Sequence, residues 1–210
     1  FNMTMLYNTG TRTHFEVNMN VEYKVIDNFL NEHDLKKLED MVMSAYMPWY
    51  FNDFINVDGD EFFQFIYGFI RIGGEPNCDE FMMNLLEPFR LKLKVNSFQR
   101  VKANLATKTN KIFEHGMHTD RSNAKGKTGV FYLNTCNGYT KLENGKKIKS
   151  KRNRYVEFDC NTRHSGSSCT DKKRRVVINF NYWIFLVNWY LKDSPAKGFS
   201  LIFWVIKKLI

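Results

Sequence analysis

Apolar residues in the first half of the chain recur at spacings that predict a strand followed by a helix. The segment Val21–Val25 alternates apolar and polar positions, as a half-buried strand does. Asn31 is a plausible helix N-cap, with Asp34 three residues later. The apolar positions that then repeat at helical spacing are Leu35, Leu38, Met41 and Val42. We therefore expect an amphipathic helix with one buried face.

A second helical segment is predicted at about Asp79 to Leu93. Pro88 should kink or split this helix, because proline lacks the backbone N–H and its ring clashes with the preceding turn. The predicted buried stripe consists of Phe81, Met82, Leu85 and Phe89. Stripes of this kind are typical of helices that pack on a core.

From Phe98 onward the pattern changes to short β-prone segments that alternate with turn-rich stretches. The segments are Arg100 to Leu105, Lys111 to His118, Gly129 to Asn134, Tyr155 to Phe158 and Arg174 to Phe185. Asn137-Gly138 and Asn144-Gly145 predict hairpin turns. The last segment is almost continuously apolar, so both of its faces should be covered. The series predicts an antiparallel β-sandwich or barrel.

Length and composition favour one domain. The chain has 210 residues, of which 43% are hydrophobic, enough for one sizeable core. We predict an N-terminal extension at 1–20, a single domain at 21–185 and a tail of unknown role at 186–210. The apolar terminal run Phe199–Ile206 is far shorter than the ~20 residues of a membrane span. Four cysteines without a C-x-x-C pair favour a reduced compartment, so we expect a cytoplasmic protein, in the host cytoplasm if viral.

The formal net charge of +9 leaves two interpretations open. A basic surface attracts nucleic acid or another acidic partner. Lysine is, however, spread along the chain beside abundant Asn, Ile, Phe and Tyr, a bias that AT-rich coding produces without any binding role.

The candidate chemistry lies in His118-Thr119-Asp120, followed by His164 and by Arg175 at the head of an apolar segment. Residues two apart on a strand point the same way and lie roughly 6 to 7 Å apart, so His118 and Asp120 can reach one metal ion. Two histidines and one carboxylate, with open positions on the metal, are associated with non-haem Fe(II) oxygenases. A nearby arginine suits a dicarboxylate cosubstrate, because its planar fork pairs with a carboxylate.

The sequence resembles the 2-oxoglutarate- and Fe(II)-dependent oxygenases, and within them the prolyl 4-hydroxylase-like branch, especially the small versions of phages and marine microbes. The resemblance extends from about Tyr23 to Trp183. Its segments are Val25–Leu30, Arg100–Leu105, Glu114–Asp120, Phe131–Asn134, Gly138–Thr140, Asn153-Arg154 and His164–Tyr182. It implies a mainly β fold with flanking helices, the double-stranded β-helix or jelly roll.

The resemblance also implies a ligand set. His118, Asp120 and His164 would bind Fe(II), and no other catalytic residue is implied. His115 competes with His118, but on a regular strand its offset of three points it to the opposite face. We therefore expect His115 to have a structural or supporting role.

For the cosubstrate, the family places a basic residue about ten positions after the distal histidine. Arg175 fits this register better than Arg174, because Arg175, Val177 and Asn179 would share the pocket face. Tyr132 resembles the family tyrosine whose hydroxyl reaches the far carboxylate of 2-oxoglutarate, although plain core packing is an equal alternative.

Further contacts are less specific. Asn104 is a weaker candidate for contacting the cosubstrate or the substrate. Thr140 and Asn153 are expected to be structural.

The implied reaction is hydroxylation, or demethylation of an N-methyl group, with release of succinate and CO₂. It requires Fe(II), 2-oxoglutarate and O₂, and ascorbate is an optional addition. A peptidyl prolyl or other protein side chain is the favoured substrate. The basic segments Lys146–Arg154 and Lys172–Arg175 leave nucleic acid open, and free amino acids and small metabolites also remain.

Two other classes remain as alternatives to an oxygenase. One is a non-catalytic basic jelly roll that binds nucleic acid, and the other is a metal hydrolase. The oligomeric state cannot be predicted from the sequence.

Overall fold

The computed structural model describes residues 3–5, 13–15, 21–55, 62–120 and 125–183. The strands are β1 Met3–Met5, β2 Thr13–Phe15, β3 Tyr23–Ile26, β4 Tyr50–Asn52, β5 Gln64–Ile70, β6 Phe98–Thr107, β7 Lys127–Tyr132, β8 Tyr139–Leu142, β9 Lys147–Lys149, β10 Arg154–Asp159, β11 His164–Gly166 and β12 Arg174–Tyr182. The helices are α1 Glu32–Val42, α2 Glu80–Asn84 and α3 Glu87–Leu93.

Two antiparallel sheets form the body of the protein. The larger sheet has seven strands in the order β3-β10-β7-β12-β6-β5-β4, and the smaller has three in the order β11-β8-β9. β1 and β2 pair with each other as a separate antiparallel ribbon. The predicted mainly β, jelly-roll architecture is confirmed.

Two hydrophobic clusters cover the two faces of β12. On the outer face, Val176, Ile178 and Phe180 belong to a cluster that also includes buried residues of all three helices. On the inner face, Val177 packs with residues of both sheets, including Leu142 and Ile148 of the smaller one. This arrangement explains why the strand is apolar at nearly every position, as predicted.

The predicted starts of the two helices are confirmed, and so is the predicted break at Pro88. The Asn31 side chain accepts a hydrogen bond from Asp34 N at 2.9 Å and caps α1. Pro88 lies in the first turn of α3, where proline is tolerated, so the predicted second helix is split into α2 and α3. Phe81 was wrongly assigned to the buried stripe, because its side chain is 61% exposed on α2.

Two other local predictions are wrong. The segment Lys111–His118 is not a continuous strand: it makes only isolated bridges, Glu114 to Ser167 and His118 to His164. Asn137-Gly138 does not join two paired strands, because β7 pairs with β10 and β12 whereas β8 pairs with β9 and β11. Asn144-Gly145 does turn the β8–β9 hairpin, with Gly145 at a φ of 84°.

The predicted tail at 186–210 lies outside the described residues, as does most of the predicted extension at 1–20. None of the helices in the described part of the chain has the length and apolar character needed to cross a membrane.

Candidate metal and cosubstrate site

His118, Asp120 and His164 come together between the two sheets, with 36% of the His118 side chain exposed and His164 buried. One ligand atom from each lies within 4.8 Å of the others. His118 Nε2 is 4.0 Å from Asp120 Oδ1, and His164 Nε2 is 3.9 Å from Asp120 Oδ2. The three side chains predicted as metal ligands therefore converge, although His118 and Asp120 lie on an irregular extended segment rather than on a strand.

Backbone carbonyl groups orient the two imidazole rings. His164 Nδ1 lies 3.0 Å from the Thr162 carbonyl oxygen, and His118 Nδ1 lies 3.2 Å from that of Gly116. With Nδ1–H donating to a carbonyl, the lone pair is on Nε2, the nitrogen that faces Asp120. This is how histidine is held when it binds a metal.

Asp120 is held by two donors from the larger sheet. Thr128 Oγ1 donates to Asp120 Oδ2 at 3.0 Å, and Asn181 Nδ2 donates to the same oxygen at 2.9 Å. Burial raises the pKa of Asp120, but the attraction of His164, the Asn181 hydrogen bond and the charge of Arg100 together bring it below the usual value. The carboxylate is therefore ionised.

The pKa of His118 is lowered, first by burial and then by the neighbouring His164. Lowering favours the neutral imidazole, which is the form that binds metal. Two imidazole nitrogens and one carboxylate oxygen, without a thiolate, are a donor set that suits Fe(II). The residues therefore fit Fe(II), the metal that the sequence resemblance implies.

Arg175 lines the same cavity and is buried, with 5% exposure. Its Nε donates to Ser150 Oγ at 2.8 Å and its Nη2 to Thr140 Oγ1 at 3.2 Å, while its guanidinium lies 5.6 Å from the centre of the Tyr132 ring. All of these contacts are uncharged. A buried cation without a charged partner among the described residues is costly unless an anion binds there. The site therefore fits a carboxylate.

Gly138 makes room for this arginine. A Cβ at position 138 would lie 2.7 Å from Arg175 Cδ and 2.7 Å from the Ser168 carbonyl oxygen. Real side chains do not approach so closely, so glycine is required for close approach rather than for the predicted hairpin turn.

The other residues predicted to contact the cosubstrate do not all line the cavity. Asn179 and Asn104 line the cavity. Tyr132 is fully buried behind it, and its hydroxyl donates to Thr140 Oγ1 at 2.8 Å. A direct contact between Tyr132 and 2-oxoglutarate remains a prediction.

Thr140, which we expected to be structural, is part of the cavity wall. Its hydroxyl oxygen accepts from both Tyr132 and Arg175, which leaves its own proton to donate elsewhere. Asn153, by contrast, has the expected structural role: its side chain accepts from Leu30 N and donates to Leu30 O, each at 2.8 Å.

The expectation that His115 points away from the site is wrong. His115 lines the same cavity as His118. The parity rule assumes a regular strand, and residues 115–117 are not in one. His115 N donates to the Gly166 carbonyl oxygen at 2.9 Å, which places it beside β11. His115 is not part of the cluster of possible metal ligands.

Lys102 of β6 also lines the cavity, although it was not predicted from the sequence. Burial, and then the charge of Arg100, lowers its pKa to about 8. The alternation of polar and apolar residues from Arg100 to Leu105 is the sequence signal that would have identified it, because Lys102 and Asn104 are on one face of that strand.

The Asn104 side-chain oxygen is buried and has no hydrogen-bond partner within the described part of the chain. A buried polar atom of this kind is usually satisfied by a ligand or water. Asn104 therefore indicates a cavity that is built to hold a polar molecule.

No protein-family model and no curated protein matches this sequence. Solved structures do match its fold. A 2OG-Fe(II) oxygenase family oxidoreductase from Burkholderia pseudomallei is 15% identical, with 76% of this chain and 84% of that chain covered and a TM-score of 0.58.

Two further structures are similar. A prolyl hydroxylase from Trichoplax adhaerens, in complex with a hypoxia-inducible factor peptide fragment, is 18% identical over 78% of this chain and 84% of that chain, with a TM-score of 0.57. AviO1 from Streptomyces viridochromogenes is 12% identical over 85% of this chain and 93% of that chain, with a TM-score of 0.52. The chain thus has the fold of the 2-oxoglutarate and Fe(II) oxygenases.

Proposed function

We propose that this protein, which has the fold of the 2-oxoglutarate oxygenases, is an Fe(II)- and 2-oxoglutarate-dependent dioxygenase that hydroxylates its substrate. The observation that carries the proposal is the convergence of His118, Asp120 and His164 in a cavity that also contains the buried cation Arg175. A metal hydrolase would use the three ligands but has no need for Arg175.

The residues of the chain have separate tasks in this reaction. His118, Asp120 and His164 would hold Fe(II), while Arg175, supported by Ser150 and Thr140, would bind the far carboxylate of 2-oxoglutarate. When bound, Fe(II) and 2-oxoglutarate supply the oxidising chemistry: O₂ and 2-oxoglutarate are consumed, succinate and CO₂ are released, and one oxygen atom enters the substrate. Val130 and Val177 form apolar parts of the cavity wall.

The finer assignment concerns the substrate. A peptidyl prolyl or other protein side chain is favoured by the sequence resemblance, and the Trichoplax structure was solved with a peptide bound. Ascorbate would serve, as an optional addition, to keep the metal reduced.

A non-catalytic nucleic-acid-binding module is disfavoured by where the basic residues lie. Arg152 pairs with Glu32 and Glu39, and Arg154 pairs with Asp27. Much of the basic segment Lys146–Arg154 is therefore neutralised by the protein itself rather than free to bind phosphates.

The test is succinate formation from 2-oxoglutarate by the Fe(II)-loaded protein, screened across peptidyl proline, methylated nucleic acid and free amino acids. We expect succinate to form and to depend on Fe(II) and O₂. Nucleic-acid affinity that falls steeply with salt and survives loss of His118 and Asp120, without any succinate, would support the binding module instead.

A further inference from the structure

The cavity contains a second cation, Lys102, whose position differs from that of Arg175. Lys102 is on β6, opposite Asn179 of β12 and Gly68 of β5. Arg175 is four residues before Asn179 on β12, opposite Ala106. At about 3.3 Å per residue, the backbones of the two cations are more than 10 Å apart along the sheet. They therefore serve different parts of the cavity.

Lys102 lies at the end of the cavity that is near the candidate metal ligands. Its neighbour on the same face, Arg100, is 3.9 Å from Asp120. Lys102 and His118 also line the same cavity. A ligand that reaches Lys102 would therefore lie beside the metal ligands rather than at the Arg175 end.

Among the described residues, Lys102 has no ion pair and no hydrogen bond through its ammonium group. The cavity wall described here includes two cations, Lys102 and Arg175, and no carboxylate. Asp120, the acid close by, is shared among Thr128, Asn181 and Arg100. A half-buried ammonium group without an acidic partner is a site for an anion.

If the proposed function holds, the site with Fe(II) and 2-oxoglutarate bound has no negative charge to balance Lys102. The charges of Fe(II) and Arg175 are matched by Asp120 and the two carboxylates of 2-oxoglutarate, so Lys102 and Arg100, which is 3.9 Å from Asp120, both remain as excess positive charges. Lys102, which unlike Arg100 lines the cavity, is then an unmatched positive charge in the same cavity as His118 and His164. Electrostatic complementarity favours a substrate that brings one negative charge to Lys102.

We propose that Lys102 binds a carboxylate of the substrate and thereby selects a substrate that carries a carboxylate close to the oxidised carbon. This inference rests on the proposed function and narrows it, since peptidyl proline carries no such charge. The carboxylate belongs to a free amino acid or small organic acid, or to an aspartyl or glutamyl side chain of a protein. A nucleobase is neutral and carries no carboxylate, so nucleic acid fits less well.

The test uses the full-length protein loaded with Mn(II), which accepts the same ligands but does not turn over. The first step measures 2-oxoglutarate binding by calorimetry. The second titrates the Mn(II) and 2-oxoglutarate complex with paired probes: free amino acids and their carboxamides, and capped peptides containing Asp or Glu and their Asn or Gln counterparts. A capped prolyl peptide and a single-stranded oligonucleotide complete the set.

We expect at least one carboxylate probe to bind about 10- to 150-fold more tightly than its amide, the range for a hydrogen bond to a charged group. Lys102→Met should remove that preference and leave 2-oxoglutarate affinity within about 2-fold, whereas Lys102→Arg should restore part of it. Lys108→Met, the same change at an exposed lysine just after β6, should behave as the wild type does. Comparing the amino-acid pair with the peptide pair shows whether the carboxylate belongs to a free amino acid or to a side chain of a peptide.

Several results would overturn the proposal. They are equal binding of acid and amide probes, no carboxylate probe that binds, or a Lys102→Met variant that loses 2-oxoglutarate instead. Tight oligonucleotide binding that Lys102→Met does not change would favour nucleic acid. The acid-against-amide comparison uses wild-type protein, so it does not depend on the variant folding. Failure of the wild type to bind 2-oxoglutarate in the first step would reject the proposed function itself.

Discussion

The backbones of His118 and His164 are hydrogen-bonded to each other in both directions. His118 N donates to the His164 carbonyl oxygen at 2.9 Å, and His164 N donates to that of His118 at 2.8 Å. This bridge fixes the starting points of two side chains that are distant in sequence, and their ring centres lie 4.6 Å apart. Two ligands are thus positioned by the same pair of hydrogen bonds, which favours a site formed before metal binds.

Removal of one ligand tests the metal site directly. We expect His164→Ala to weaken Fe(II) binding at least about 100-fold. Loss of a residue that only contacts a ligand costs up to about 100-fold, and loss of the ligand itself should cost at least as much. The weak visible charge-transfer band of the anaerobic Fe(II) and 2-oxoglutarate complex should disappear. His33→Ala, at an exposed histidine of α1, is the control and should retain the band. A full-strength band in His164→Ala would contradict the assignment.

Arg175 and Arg174 provide a matched pair for the cosubstrate. Arg175→Met should raise the Kd of 2-oxoglutarate about 30-fold or more, because it removes a buried charged partner of a carboxylate. Arg174 donates to the Met43 carbonyl oxygen at 2.7 Å on the other side of the sheet. Arg174→Met should therefore lower stability by about 1 kcal/mol and leave the Kd nearly unchanged. The Kd of 2-oxoglutarate is measured by calorimetry for both variants. A larger increase in Kd for Arg174→Met would show that the register assigned to β12 is wrong.

Gly138 is predicted to act through Arg175. In Gly138→Ala the new methyl group would displace the arginine side chain or the Ser168 carbonyl, so 2-oxoglutarate binding should weaken about 10-fold or more. Gly145→Ala has a positive φ but no atom within 4 Å of its Cβ. It should cost about 1 kcal/mol of stability without changing the cosubstrate Kd. Equal Kd values for the two variants would argue against the close-approach role.

Glu114 makes the stability of the site segment depend on pH. It accepts from Lys141, Lys147 and Tyr139, and these hydrogen bonds lower its pKa from 4.5 to about 2. A lowered folded-state pKa stabilises the protein above the unfolded value, and that contribution is lost as the pH falls through the folded value.

The wild type should therefore exceed Glu114→Gln in stability at pH 7, by at most about 1 kcal/mol for this partly exposed network. The difference should shrink between about pH 4.5 and pH 2. Thermal unfolding at several pH values measures it, with Glu22→Gln, at an exposed carboxylate, as the control. A difference that stays constant down to pH 2 would show that the carboxylate charge is not responsible.

The sequence by itself determined the features that depend on spacing within one element. Asn31 with Asp34 fixed the start of α1, Pro88 split the second helix, and the alternation in β12 separated Arg175 from Arg174. Each of these follows from the short-range geometry of helices and strands.

Only the tertiary structure decided which distant segments meet in the cavity. The irregular backbone at 115–117 brought His115 to the face from which regular strand geometry would have excluded it. The pairing of β6 with β12 placed Lys102 beside the candidate metal ligands, and the packing of the smaller sheet put Thr140, Ser150 and Gly138 around Arg175. These contacts depend on side-chain packing between elements that are far apart in sequence. No local periodicity encodes such packing.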